Sequence, residues 1–169
     1  FQVGELYYNI TSNTEPYTVE VTYKTYNDLH SDDHKGCIAI PSTVSYNNRA
    51  YTVTKIGDYA FRYSYSITSV EIPSSVTNIG DNAFQACTSL ISVSIPNTVV
   101  TIGSGAFHNC SSIDSILIPN SVTNIGGGAF AGCSSLTTIV IPNSITKIDV
   151  GTFQLCSSLR SINIPNTIT

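Results

Sequence analysis

A unit of 23 residues repeats five times in this chain without an insertion. Each copy keeps the same apolar skeleton, with one proline and one phenylalanine at fixed places. Self-similarity of this kind means that each unit stacks on the next, because a single unit cannot bury its own apolar side chains. The copies are Val53–Ser75, Val76–Thr98, Val99–Ser121, Val122–Ser144 and Ile145–Thr167, after which Ile168 and Thr169 begin a sixth.

Each copy contains one short alternating segment that ends at a proline. In the fourth copy Ile139 and Ile141 alternate with Val140, and Pro142 follows. Alternation predicts a strand with one buried face, and proline ends the strand because it has no N–H to donate to a ladder. The pair before the strand, Ala129-Phe130 in this copy, is interpreted as part of a short helical turn, so that the phenylalanines of successive copies stack.

The length of the period indicates the fold class. A period of 23 residues lies within the range of about 20–29 that is typical of leucine-rich repeats. The sequence therefore predicts a right-handed leucine-rich-repeat solenoid, β-rich with short helical turns. A buried Leu, Ile or Phe contributes roughly 1.5–3 kcal/mol, which offsets the entropy of ordering a unit only when neighbouring units are present.

Four of the five cysteines share one position of the repeat, and Tyr63 is assigned to that position in the first copy. We expect a ladder of small buried thiols. Zinc is not favoured, because ligands spread along a straight ladder do not converge on a tetrahedron. A disulfide between adjacent coils remains an alternative, although it would disturb the register. The four are Cys87, Cys110, Cys133 and Cys156.

Residues 1–52 lack the repeat and predict an N-terminal β cap. Leu6–Thr11 and Thr18–Tyr23 alternate as strands do, and the turn-like Ser12–Pro16 between them predicts a hairpin that covers the first coil. Solenoids need such terminal caps because the end coil otherwise shows its apolar core. The array of repeats, including the start of the sixth, then occupies residues 53–169.

The end of the cap contains a partial first repeat. Cys37–Pro41 resembles the strand and proline of the later copies, and a small hairpin is expected around Asn47-Asn48. Cys37 aligns with Ser92 and Thr138 and not with the cysteine ladder, so it is the thiol to test for reactivity.

The string L-x-x-I-x-I-P-x-x-V-x-x-I-G-x-x-A-F-x-x-C, repeated from Val53 to Thr169, closely resembles the BspA-type leucine-rich repeats of bacterial surface proteins. The resemblance implies a secreted or cell-surface bacterial protein. Some members of that family bind host extracellular proteins such as fibronectin and fibrinogen, and others mediate adhesion. No catalytic residues are attributed to the family, so the resemblance implies a binding or adhesion module and not an enzyme.

Composition excludes several other classes of function. The net charge is −4 and there is no basic stripe, which argues against nucleic-acid binding. No apolar run approaches the roughly 20 residues of a membrane span. The chain begins at Phe1 and has no Met, so we expect that an export signal was removed upstream. After Thr169 we expect a capping segment, further repeats or self-association.

The candidate binding surface lies on the outward positions of the strands. Leu117 and Val140 should be adjacent and exposed, with Ile91 near the same face, and a contiguous apolar patch often marks a contact site. The alternative is that these aliphatic side chains only support β structure. We expect the patch to contact a protein partner or a second copy. The predicted surface comprises Ser92, Ser115, Leu117, Thr138, Val140 and Ser161.

Other chemistry has little support in the sequence. His30-Ser31-Asp32-Asp33-His34 is the densest group of potential metal ligands, but it lacks a calcium-loop pattern and is interpreted as a solvated loop. We expect no metal, no cofactor and no catalytic residue. Glycan binding is the alternative function, because tyrosines could supply stacking platforms, although packing of the β cap is the favoured role for them. These tyrosines are Tyr7, Tyr8, Tyr46, Tyr51, Tyr59, Tyr63 and Tyr65.

Overall fold

A computed structural model describes residues 1–23 and 34–169 of the chain. In these two ranges, short strands are connected by turns. The described strands are β1 (Gln2–Val3), β2 (Leu6–Ser12), β3 (Thr18–Thr22), β4 (Lys35–Ala39), β5 (Thr43–Tyr46), β6 (Arg49–Ile56), β7 (Ser66–Glu71), β8 (Asn78–Ile79), β9 (Ser92–Ser94), β10 (Thr101–Ile102), β11 (Asn124–Ile125), β12 (Thr138–Val140) and β13 (Ser161–Asn163).

The coils of the repeat stack through parallel strands on two sides. On one side β6, β8, β10 and β11 pair in order, and Ile56, Ile79, Ile102 and Ile125 lie in register. On the other side β4, β7 and β9 form one sheet, and β12 pairs with β13. This second side contains the strands that the alternating segments predict. The leucine-rich-repeat architecture is therefore confirmed.

The third side of each coil consists of turns that bond to the next coil. Phe61 N–H donates to the Ala83 carbonyl at 2.7 Å, and Phe107 N–H donates to the Ala129 carbonyl at 2.8 Å. The short helical turns expected here are instead consecutive reverse turns, since Tyr59 and Tyr63 have φ values of 61° and 62°. A residue in the left-handed region interrupts a right-handed helix, so the backbone bonds go to the neighbouring coil.

A column of phenylalanine rings runs through the centre of the stack. Adjacent rings are nearly parallel, with centroids 5.2, 5.3, 5.6 and 5.8 Å apart along the series. The first four rings are buried and the last is partly buried. Equal coil lengths produce this column, because each ring meets its own counterpart one coil away. The column consists of Phe61, Phe84, Phe107, Phe130 and Phe153.

The N-terminal segment closes the first coil, and both expected hairpins are confirmed. Strands β2 and β3 pair antiparallel, and β3 pairs in parallel with β6, which extends the first sheet of the array. Val19 and Val21 of β3 are fully buried. Strands β5 and β6 form the second hairpin, in which Asn47 and Asn48 have φ values of 49° and 57°, as a type I′ turn requires.

Replacing a central ring should cost much more stability than replacing the terminal one. We expect Phe107→Ala to lower the free energy of unfolding by about 3–5 kcal/mol, because it leaves a cavity between two stacked rings. Phe153→Ala should cost less, since that ring is already partly exposed. Urea unfolding followed by circular dichroism measures both variants, and equal losses would contradict the stacked core.

Candidate functional site

The predicted binding surface lies on the side of the array that carries β7, β9, β12 and β13, which we call the strand face. Ser69 pairs with Ser92, and Thr138 pairs with Ser161, so the small hydroxyl side chains form a row across the coils. An isolated bridge joins Ser115 to Thr138. Apart from the half-buried Ser69, the members of this row are exposed. The structure therefore brings the predicted residues together on one open face.

Two exposed aliphatic side chains stand beside this row. Leu117 is 78% exposed and Val140 is 56% exposed, and they occupy the same position in successive copies. A shallow hollow that spans the second to fourth copies includes both side chains together with Ser92, Ser115 and Thr138. Ile91 is also exposed but belongs to a different row of the strand face.

The strand face is discontinuous where Leu117 lies. Strand β9 pairs with β7 on one side, but within the described part of the chain it has no ladder partner in the third copy. Residues Ser115–Leu117 contribute only the bridge to Thr138. The hollow therefore sits next to a break between two sheets, which the periodic sequence did not predict.

The expected thiol ladder is confirmed inside the coils. The Sγ atoms donate to phenylalanine carbonyls of the preceding coil at 3.1 Å from Cys87, Cys110 and Cys156, and at 3.3 Å from Cys133. Burial raises the pKa of Cys133 to about 12 and raises that of Cys110 well above its ordinary value. All described cysteines are free, so these thiols serve packing and hydrogen bonding.

The assignment of Tyr63 to the cysteine position of the first copy is wrong. Ser64, and not Tyr63, occupies the cysteine position, because Ser64 lies 23 residues before Cys87. Ser64 is buried, whereas Tyr63 is partly exposed and takes the left-handed position before it. Cys37 is exposed and pairs with Ser69, as its alignment with the strand predicts.

Of the predicted cluster of potential metal ligands, the structure describes His34. His30, Asp32 and Asp33 lie outside the described residues. The solvated-loop interpretation is wrong for His34, which is buried, contacts the Phe61 ring edge-on at 5.2 Å and places Nε2 3.2 Å from the Glu5 carbonyl oxygen. Within residues 1–23 and 34–169, no group of three or more potential ligands could hold a metal ion.

The tyrosines separate into two groups. In the cap, Phe1 stacks on Tyr46 with centroids 4.1 Å apart, and Tyr51 meets Tyr17 edge-on at 5.8 Å. In the first coil, Tyr59 and Tyr63 flank Arg62, and the Tyr65 ring lies beside that of Tyr63. Arg62 was not among the predicted site residues, although it is the one arginine at a position that holds Gln85, His108, Ala131 and Gln154 in the other copies.

Comparisons with known proteins agree with this geometry. The family described as "BspA type Leucine rich repeat region" matches residues 54–169 in six copies. Among the described residues there is no helix that could cross a membrane. A search of the curated proteins finds no match.

Solved structures of bacterial leucine-rich-repeat proteins are similar to the chain. A leucine-rich repeat protein from Bacteroides ovatus has 35% identity and a TM-score of 0.86, with 99% of this chain and 42% of that chain covered. A leucine rich cell surface protein from Faecalibacterium prausnitzii has 36% identity and a TM-score of 0.84, with 100% and 43% covered. A leucine rich repeat protein from T. pallidum has 31% identity and a TM-score of 0.81, with 95% and 69% covered. The chain therefore spans less than half the length of the first two.

Because the thiols are buried, the free energy of unfolding should decrease at alkaline pH. The unfolded chain loses a cysteine proton near pH ~8.5, whereas folded Cys133 keeps its proton up to about pH 12. Stability should therefore fall as the pH rises through this window, by about 1.4 kcal/mol per pH unit for each such thiol. Urea unfolding at pH 7, 9 and 10 under reducing conditions should show a smaller decline for Cys133→Ser than for the wild type. Equal declines would contradict the assignment.

The same burial should separate the thiols by accessibility. We expect iodoacetamide at pH 8 to modify Cys37 first in the native protein, because the thiols of Cys87, Cys110 and Cys133 are fully buried. Cys156, which is partly buried, should react at an intermediate rate. Peptide mass spectrometry measures each site, with the urea-unfolded chain as the control. Modification of Cys110 as fast as Cys37 would contradict the ladder.

Proposed function

Because the chain belongs to the BspA-type leucine-rich-repeat family, we propose that it is a secreted or cell-surface binding module that recognises a protein partner through its strand face. The array over 53–169 presents the surface, and residues 1–52 close the first coil. The cell-surface assignment is supported by the similar F. prausnitzii cell surface protein.

The observation that carries the proposal is the exposed pair Leu117 and Val140. Both side chains are more than half exposed on adjacent coils, and the hollow beside them is bordered by small hydroxyl side chains. Small neighbours let a partner approach closely. Burying a Leu or Val side chain contributes roughly 1.5–3 kcal/mol, so this pair can act as the apolar centre of an interface.

The charged positions of the strand face lie outside that centre. Glu71, Asp114 and Arg160 are exposed on the same strands or directly before them. An apolar centre with a polar rim is the common arrangement of protein–protein interfaces. The partner class proposed is therefore a folded protein, such as a host matrix protein, which would bury an extended area over several coils.

Replacing the pair should weaken binding without affecting the fold. Leu117→Ser with Val140→Ser should weaken binding to immobilised matrix proteins, fibronectin and fibrinogen among them, by about tenfold or more. Biolayer interferometry measures the affinity. The thermal midpoint should change little, because both side chains are already exposed.

A matched control is available on another side of the coils. Val150 and Leu155 are 94% and 73% exposed, and Val150→Ser with Leu155→Ser should leave binding unchanged. Sedimentation of the wild type and both double variants shows whether the partner is a second copy. Binding that survives the Leu117 and Val140 substitutions at full strength would refute the proposed surface.

A further inference from the structure

We propose that the first coil carries a second binding site, specific for a saccharide that bears a carboxylate or sulfate group. The site consists of Tyr59, Arg62, Tyr63 and Tyr65, which we call the tyrosine–arginine patch. It lies on the turns that precede β7, away from Leu117 and Val140. It therefore goes beyond the protein-binding function of the strand face.

The four side chains are linked by pairwise contacts, two of which place tyrosine rings against one guanidinium group. Arg62 Cζ lies 4.4 Å from the centroid of the Tyr63 ring and 5.4 Å from that of Tyr59. Arg62 Nη2 donates a hydrogen bond to Tyr63 Oη at 2.8 Å. The rings of Tyr63 and Tyr65 are 6.0 Å apart. Two rings and one hydrogen bond therefore hold the cation in place before any ligand arrives.

The repeat fold does not require tyrosines at these positions. Tyr59 and Tyr63 have φ values of 61° and 62°, in the left-handed region that disfavours bulky residues. Three later copies place Gly105, Gly128 and Gly151 at the position of Tyr59 with the same sign of φ. Strained residues of this kind persist mostly at functional sites. The backbone follows the same path in the copies that have glycine there, so the strain arises because tyrosine occupies the position.

The aromatic rings are presented to solvent and not to the core. Tyr59 is 37% exposed and Tyr65 is 43% exposed, whereas the phenylalanine of the same coil is buried. A tyrosine ring offers an apolar face together with a polar tip. Such faces suit the C–H surface of a pyranose ring, whose hydroxyl groups can bond to the phenol oxygens.

The charge of Arg62 selects the kind of saccharide. The ion pairs of the described residues involve Lys55 and Lys147, and none involves Arg62. Its Nε is buried and has no hydrogen-bond partner among the described residues, so a ligand would have to bind through the Nη groups. A guanidinium group binds planar or tetrahedral oxyanions through paired N–H bonds. Because the guanidinium is already fixed between rings, little side-chain entropy is lost when a carboxylate or sulfate binds.

Calorimetric titration of the whole chain with defined oligosaccharides tests the site. The probes are a galacturonic acid hexamer, a heparin-derived hexasaccharide, and the fully methyl-esterified galacturonic acid hexamer, which lacks the charge. We expect at least one anionic probe to bind and the ester to bind at least about tenfold more weakly. A preference between the anionic probes identifies carboxylate or sulfate as the group recognised.

Variants separate recognition from packing. Arg62→Gln should weaken binding of the anionic probe by about tenfold. Tyr59→Gly should also weaken it, while the thermal midpoint stays equal or rises because glycine suits the left-handed backbone. Leu117→Ser with Val140→Ser should bind the probe as the wild type does, which distinguishes this site from the strand face.

Three results would overturn the proposal. The first is that neither anionic probe binds at millimolar concentration. The second is that Arg62→Gln and Tyr59→Gly bind with wild-type affinity. The third is that Tyr59→Gly lowers the thermal midpoint by several degrees, since the tyrosine would then serve packing in the first coil.

Discussion

The structure depends on the contact between equivalent side chains of neighbouring coils. Because each coil has the same length, each phenylalanine ring meets the next at 5.2–5.8 Å, and the planes differ by only a few degrees. The backbone follows the same rule, with parallel pairing on two sides and turn-to-turn bonds on the third. A residue inserted between the phenylalanine and the strand of one copy would displace that coil from its neighbours, in keeping with the equal length of the five copies.

Burial is therefore a property of position in the stack. The phenylalanines and thiols of the second to fourth copies are buried between coils, whereas Phe153, Cys156 and Ile162 of the fifth are partly exposed. At the other end, β3 pairs with β6 and covers the first coil with Val19 and Val21. Stability in such arrays is approximately the sum of each unit and its nearest-neighbour interfaces, so it should be highest in the middle of the chain.

The features that follow from the 23-residue period could be predicted from the sequence. The phenylalanine column, the thiol ladder and the strand rows follow from aligning the copies, and the Asn47-Asn48 hairpin follows from local turn chemistry. The second ladder through β8, β10 and β11 was missed because its strands are two residues long. The break beside Ser115–Leu117, the burial of His34 and the clustering around Arg62 depend on contacts between coils. The turns contain tyrosines with positive φ and are therefore not helical as expected. Helix propensity does not reveal which residue in a turn adopts a positive φ.

A rigid stack leaves its outer positions free to acquire function, so binding surfaces can differ from coil to coil on one scaffold. The most direct test of the stack is hydrogen–deuterium exchange by mass spectrometry. Amides of the second to fourth copies, from Val76 to Ser144, should exchange slowest, and those of the fifth copy should exchange markedly faster, because opening a middle coil breaks two interfaces and opening the last breaks one. Equal exchange in all copies, or fast exchange at Phe84, Phe107 and Phe130, would contradict this account.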